Sequence, residues 1–179
     1  QILLQYSDAD AEPARESVHY SWNWRTHQRE ETRRANWDQF AKFLTLNHIL
    51  YENSPRYELK NRGKAWRCKA AYKSGDPAPQ VREEAFPHLW EQQPSALLNL
   101  LLDSQCAPVH EFATKAIRAC AEFCQGLTLE TLSNLLSRPY EATAQLGFEL
   151  ARQRYQPAHP NVELVLAIAN CAYTPARAQ

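Results

Sequence analysis

Residues 56–82 carry 8 basic and 2 acidic side chains, a net charge of +6. Cations and flat rings alternate there: Arg56, Tyr57, Lys60, Arg62, Lys64, Trp66, Arg67, Lys69, Tyr72 and Lys73. Cations hold phosphates, and aromatic rings stack on bases or receive guanidinium groups. Upstream, Trp22, Trp24, Arg25, Arg29, Arg33 and Arg34 add the same chemistry. If the two stretches meet in space, they form a positive, aromatic surface for nucleic acid, for phosphate or for an acidic protein. The plainer alternative is a solvated hairpin with Trp22 and Trp66 packed onto helices beneath it. The residues expected to make contact are Trp22, Trp24, Arg25, Arg56, Tyr57, Arg62, Lys64, Trp66, Arg67 and Lys69.

The other reactive residue types do not assemble into a motif. The six histidines, His19, His27, His48, His88, His110 and His159, show no metal-ligand spacing. His110-Glu111 is not followed by the second His of a zinc protease helix. His48 beside Asn47 has the makings of a base with an orienting partner, but a hydrogen-bonded boundary histidine is the plainer reading. Asp38 and Glu52 read as cap and helix-end residues. Four glycines form no phosphate loop and no Gly-x-Ser-x-Gly elbow. Of the five cysteines, Cys120 and Cys124 share a helix face, but two thiols make only half a zinc site. Cys68, Cys106 and Cys171 stand apart, and an odd count argues against a disulfide framework. We therefore expect buried free thiols, a reducing cytoplasm, no catalytic residue, no cofactor and no metal.

Composition bounds the reading. The chain has 179 residues, enough for one domain or a short run of repeats. Lys plus Arg is 20 and Asp plus Glu is 20, so the total charge hides the basic segment. Residues 1–55 are net −2 and residues 83–179 net −4. With 44% apolar residues the chain can pack a core. The longest apolar run, residues 164–169, is far short of the roughly 18–20 residues of a membrane span. The chain opens with Gln1, contains no Met and shows no secretory signal over residues 1–10. Residues 174–179 read as a helix just beginning, so the chain is expected to be a piece of a longer protein.

The elements that must position these residues differ between the two halves. From residue 81 onward the pattern is helical, with Val81 to Trp90 opening the array. Leu97, Leu98, Leu101 and Leu102 have helical spacing behind Pro94-Ser95. Pro108 starts a helix whose stripe runs Val109, Phe112, Ala113, Ala116, Ile117, Cys120 and Phe123, closed by Gln125-Gly126. Thr128 caps the next, with Leu129, Leu132, Leu135 and Leu136 as its apolar face. Ala142, Leu146, Phe148 (or Ala144) and Leu150 mark another. Pro157 and Pro160 punctuate, and Val162, Leu164, Val165, Ile168 and Ala169 mark the last. Leu102 corresponds to Leu136 and then Ala169, a spacing of 34 and then 33 residues. Helix pairs recurring at that period predict an α-solenoid; short helical pairs in a bundle would imitate it.

In the first half, Trp37, Phe40, Ala41, Leu44 and His48 predict a helix capped by Asn36 and ending near Tyr51. Val18, Tyr20, Trp22 and Trp24 alternate as in a short strand. Residues 56–59 and 65–68 read as a hairpin turning at Asn61 and Gly63. Residues 73–80, with Gly75, Pro77 and Pro79, read as an exposed loop. The expected division is 1–80, helices with a basic aromatic hairpin insertion, and 81–179, helical repeats.

The Leu-Leu and Pro/Ala helix-start pattern of residues 94–179 resembles the HEAT-like or armadillo-like helical repeats, over about half the chain. Residues 47–57 (Asn47-His48-Ile49-Leu50-Tyr51-Glu52-Asn53-Ser54-Pro55-Arg56-Tyr57), Ala65-Trp66-Arg67 and Val109-His110-Glu111-Phe112-Ala113 resemble segments of large bacterial HEAT-repeat proteins. Some of those carry a WGR domain, a triplet that this chain lacks. The resemblance implies a scaffold for proteins or nucleic acid and supplies no catalytic residues. A HEAT-like DNA glycosylase would need a basic concave face, whereas the repeat half is net −4 and would repel DNA. The expectation is thus a mainly α, HEAT-like solenoid with a small β-hairpin insertion. It would bind a protein partner without catalysis, with nucleic-acid binding in repair or defence second and a glycosylase third.

Overall fold

The computed structural model describes residues 1–155 and 161–175. Pro157, His159, Pro160 and residues 176–179 of the expected last helix lie outside them, as does the side chain of Arg33. The chain is mainly helical with small antiparallel β elements. It forms two compact units, Ala9–Ala85 and a second joining Gln1–Asp8 to Phe86–Gln179. The division expected at 80/81 falls just before that boundary, and the first eight residues belong with the helices.

In the first unit, β1 (Arg15–Asn23) pairs antiparallel with β2 (Gln28–Trp37), from Arg15↔Trp37 to Asn23↔Gln28. The register shifts between His19 and Tyr20, where β2 carries the extra residue. At the turn, the Asn23 side-chain oxygen accepts from the Arg25 amide at 2.9 Å, and His27 takes a left-handed φ of 52°. Asn23 and Thr26 both donate to Glu30 and fasten the tip. Only the first of these strands follows from the alternation. β2 begins Gln28-Arg29-Glu30-Glu31, with no apolar face to signal it.

The expected helix from Trp37 is corrected. Asn36 and Trp37 close β2, residues 38–41 form a turn, and α1 spans only Leu44–Tyr51. The turn imitates helical periodicity because it buries Phe40 and Ala41, while Leu44 and His48 stay exposed. Buried Asn47 holds it, donating to the carbonyls of Phe40 at 2.7 Å and Phe43 at 2.8 Å. The hairpin of residues 56–68 is present: β3 (Tyr57–Glu58) pairs with β4 (Arg67–Cys68). Arg62, not Gly63, takes the left-handed φ of 59°. Gly63 is required for another reason: a Cβ there would stand 2.8 Å from the Lys60 carbonyl oxygen. β4 lies beside β2. The helix expected over residues 81–90 is also corrected. Residues 81–85 are not helical; they bond to α1 and to the residues just after it, through Ala85 N to Ile49 O and Asn53 N to Glu83 O, both 2.9 Å.

The second unit holds α2 (Pro87–Glu91), α3 (Pro94–Asp103), α4 (Ala107–Arg118), α5 (Ala121–Gly126), α6 (Leu129–Leu136), α7 (Glu141–Arg154) and α8 (Val162–Asn170). Pro94 and Pro108 sit in first turns as expected, and the Thr128 hydroxyl caps α6 by accepting from Thr131 N at 3.1 Å. The single helix expected from Pro108 to Phe123 is two. A tight turn, Cys120 N to Ile117 O at 2.9 Å, separates α4 from α5. α3 packs on α4, α6 on α7, α4 on α7 and α6 on α8. Leu97, Leu101, Val109, Ala113, Leu132 and Leu136 lie in this core. α7 approaches α6 closely at Gly147, where a Cβ would stand 3.1 Å from Leu136 N.

A buried polar junction ties α3, α4, α7 and the N-terminal segment together. His110 Nε2 lies 3.0 Å from Ser104 O, a group that can only accept, so Nε2 carries the proton. Nδ1 therefore accepts from the Thr143 hydroxyl at 2.7 Å. The ring stacks on Tyr140 at 3.7 Å, and Arg138 donates to the same Ser104 carbonyl at 2.8 Å. Asp8 caps α4, accepting from Ala107 N at 2.7 Å. Burial holds the His110 pKa below its ordinary value of 6.5. The unfolded chain thus takes up the proton first, so stability is full above pH 6.5 and falls as pH drops below it. We expect a progressive loss of stability from this one site as the solution is acidified. Urea midpoints between pH 7.5 and 5 check this, and His110→Gln should flatten that slope.

Candidate interaction surface

Four residues of the basic, aromatic segment, Arg56, Tyr57, Trp66 and Tyr72, are buried. Arg56 is only 7% exposed, and its guanidinium grips Glu83 through Nε at 2.9 Å and Nη2 at 2.7 Å. The rings of Tyr51, Tyr57 and Tyr72 surround it at 5.4, 4.9 and 5.3 Å. Ser54 Oγ donates to Glu83 at 2.6 Å, and the Tyr57 hydroxyl donates to Asp38. Burial opposes the charged guanidinium, yet the hydrogen bonds to Glu83 keep its pKa above the ordinary value. Burial also pushes the Cys68 thiol up to about 11, which keeps it protonated.

Arg56, Tyr57 and Trp66 are therefore core residues and are corrected as contact residues. Trp66 packs edge-on against the His48 ring at 5.2 Å, with its backbone amide bonded to Ala41 O at 2.8 Å. Its physical partners explain the misreading: Glu83 comes 27 residues after Arg56, too far along the chain for local pattern to reveal. Lys69 is half-buried and donates to Ser54 O at 2.5 Å, and Arg67 is half-buried against Glu58 at 3.2 Å. Both are tied to neighbours within the fold rather than free at the surface. Lys60 also binds Glu58, and these hydrogen bonds lower the carboxyl's pKa. Arg62 and Lys64 remain exposed at the turn.

Trp22, Trp24 and Arg25 are exposed, and the β1–β2 ribbon brings them together. The pleat puts Val18, Tyr20 and Trp22 on one face with Arg34, Glu31 and Arg29 opposite them. Tyr20 is 44%, Trp22 49% and Trp24 80% exposed. Trp22 and Trp24 meet edge to face at 6.3 Å, and the Arg29 guanidinium lies 4.7 Å over the Tyr20 ring. Arg34 is held by Glu16 at 2.7 Å and Glu31 at 2.9 Å. On the other face Arg15 covers Trp37 at 4.7 Å, and Ser17, His19, Ala35, Trp37 and Arg67 line a shallow groove. The contact residue that the sequence reading omitted is Tyr20, although its place in the alternation with Trp22 and Trp24 was visible.

The arrangement offers adhesion: three solvent-facing rings, arginine edges beside them, and a fastened turn at the tip. Among the described residues no group of three or more His, Cys, Asp or Glu is placed to hold a metal ion. No family model, curated protein or solved structure matches this chain.

Proposed function

We propose that the chain is a non-enzymatic interaction module that docks a protein partner on its β1–β2 ribbon. The observation that carries this is the exposure of Tyr20 and Trp22 on one ribbon face, with exposed Trp24 at the turn against Trp22. A two-stranded ribbon buries little by itself and is marginal in water. Trp, Tyr and Arg are also the residue types that dominate binding energy at protein interfaces. The helices complete the reading as a HEAT-like scaffold. Its support is periodic: the N-caps Cys106 and Tyr140 are 34 residues apart, and Thr128 and Asn161 are 33 apart. Five free cysteines support a reducing, cytoplasmic setting. Among the described residues no helix is long and apolar enough to cross a membrane.

Nucleic acid is the second reading. The observation favouring it is that the ribbon's cations are all arginine, with Arg29 stacked on Tyr20 beside two tryptophans. A photo-crosslinking residue replacing Trp24, in cells that make the full chain, separates the two. A discrete protein adduct that disappears with Trp22→Ser is expected. A nucleic-acid adduct, with binding that falls steeply with salt in vitro, selects the second reading. Absence of both, with the ribbon folded, overturns the ribbon as a docking element.

A further inference from the structure

We infer that a second copy of this chain occupies the outer edge of β1, joining two ribbons into one four-stranded sheet. This rests on the docking role of the ribbon and names the partner. β1 hydrogen-bonds to β2 alone, in a two-stranded sheet, so its outer edge carries no further strand among the described residues. Its nine residues present about 30 Å of strand. Natural open edges are blunted by charged side chains, lysine above all, by proline or by a bulge. The charges of β1, Arg15 and Glu16, stand at its start; residues 17–23 contain no Lys, Arg, Asp, Glu or Pro, and the extra residue at the register shift lies in β2.

The edge also matches itself. Two-fold antiparallel pairing has one register that uses all nine residues, and it is centred on His19. In it, outward-pointing backbone groups of one copy meet outward-pointing groups of the other, because paired residues share parity. Val18 then faces Tyr20 of the second copy, twice by symmetry, an aromatic and β-branched pair of the kind that stabilises sheets. Glu16 faces Trp22 of the second copy, so the one acidic residue of β1 meets no like charge. His19 alone faces itself.

That self-facing position gives a register-specific test by sedimentation and oxidation, in a Cys120→Ser background because Cys120 is the thiol not buried. The chain should sediment as a dimer. His19→Cys should form an intermolecular disulfide about tenfold faster than Ser21→Cys, whose thiol would face Ser17 of the second copy. His19→Lys, which sets two ammonium groups opposite each other, should give a monomer with unchanged circular dichroism. A chain that stays monomeric throughout a concentration series overturns the inference, as does a dimer indifferent to His19→Lys or crosslinked as fast through position 21. A Trp24 adduct to a different protein, from a monomeric chain, removes the second copy while leaving the ribbon as a docking element.

Discussion

Arg56→Ala or Glu83→Ala should each destabilise the Ala9–Ala85 unit by about 3–5 kcal/mol, because either change leaves a buried charge without its counter-ion. Glu83→Ala has the further effect of removing the acceptor of the Ser54 hydroxyl proton. Arg56→Ala empties the space between Tyr51, Tyr57 and Tyr72 as well. Replacing both members with apolar residues of similar volume, Arg56→Met with Glu83→Leu, should recover most of the loss, since the desolvation cost of two ions disappears with them. Urea unfolding followed by tryptophan emission reads this directly, because Trp66 lies in the same core. A single variant that unfolds at the wild-type midpoint would return Arg56 to the surface and reopen residues 56–73 as a contact region.

The second large effect concerns the helices. Leu136→Asp should abolish the cooperative melting of the helical unit. Leu136 is fully buried, and Gly147 brings α7 within van der Waals contact of its backbone, so water cannot follow the carboxylate in. Loss of the leucine costs about 2–5 kcal/mol and the unpaired polar group several more, on the order of the 5–15 kcal/mol that holds a domain together. Leu136→Met should cost less than about 1.5 kcal/mol and serves as the control for side-chain shape. Far-UV circular dichroism on heating tests both. An aspartate variant that melts sharply near the wild-type temperature would mean that α6 does not face α7 there.

These two variants also show where the sequence was readable. Helix positions in the second half follow from apolar spacing, Pro94, Pro108 and Thr128, because α-helices are closed by contacts within a few residues. Leu132, Leu135 and Leu136 are buried as their spacing implies. The break between α4 and α5 was hidden because the apolar stripe runs through it to Phe123 without interruption. In the first half the important contacts are nonlocal. The buried state of Arg56 depends on Glu83, and β2 is a strand only because β1 pairs with it. Charged residues on a strand exposed on both faces carry no periodic signal. The exposed ends of the candidate surface, Trp22, Trp24 and Arg25, were legible because strand-like alternation there runs together with a cluster of cations. Its supposed centre, Tyr57 and Trp66, was not, since a cation beside an aromatic ring in sequence looks the same whether the pair faces water or the core.

The Asp8 cap on α4 joins groups 99 residues apart in the chain. The helical unit is discontinuous in sequence, with Ala9–Ala85 falling between its two segments along the chain. During synthesis Gln1–Asp8 emerges before Ala9–Ala85, and the Ala107 amide that Asp8 caps follows only 99 residues later. At about 5–20 residues per second, that wait lasts about 5–20 seconds. Ala9–Ala85 has all its own contacts before then and can close early, holding the N-terminal segment in reserve. The ribbon would therefore be formed, and its aromatic face displayed, before the helical unit is complete.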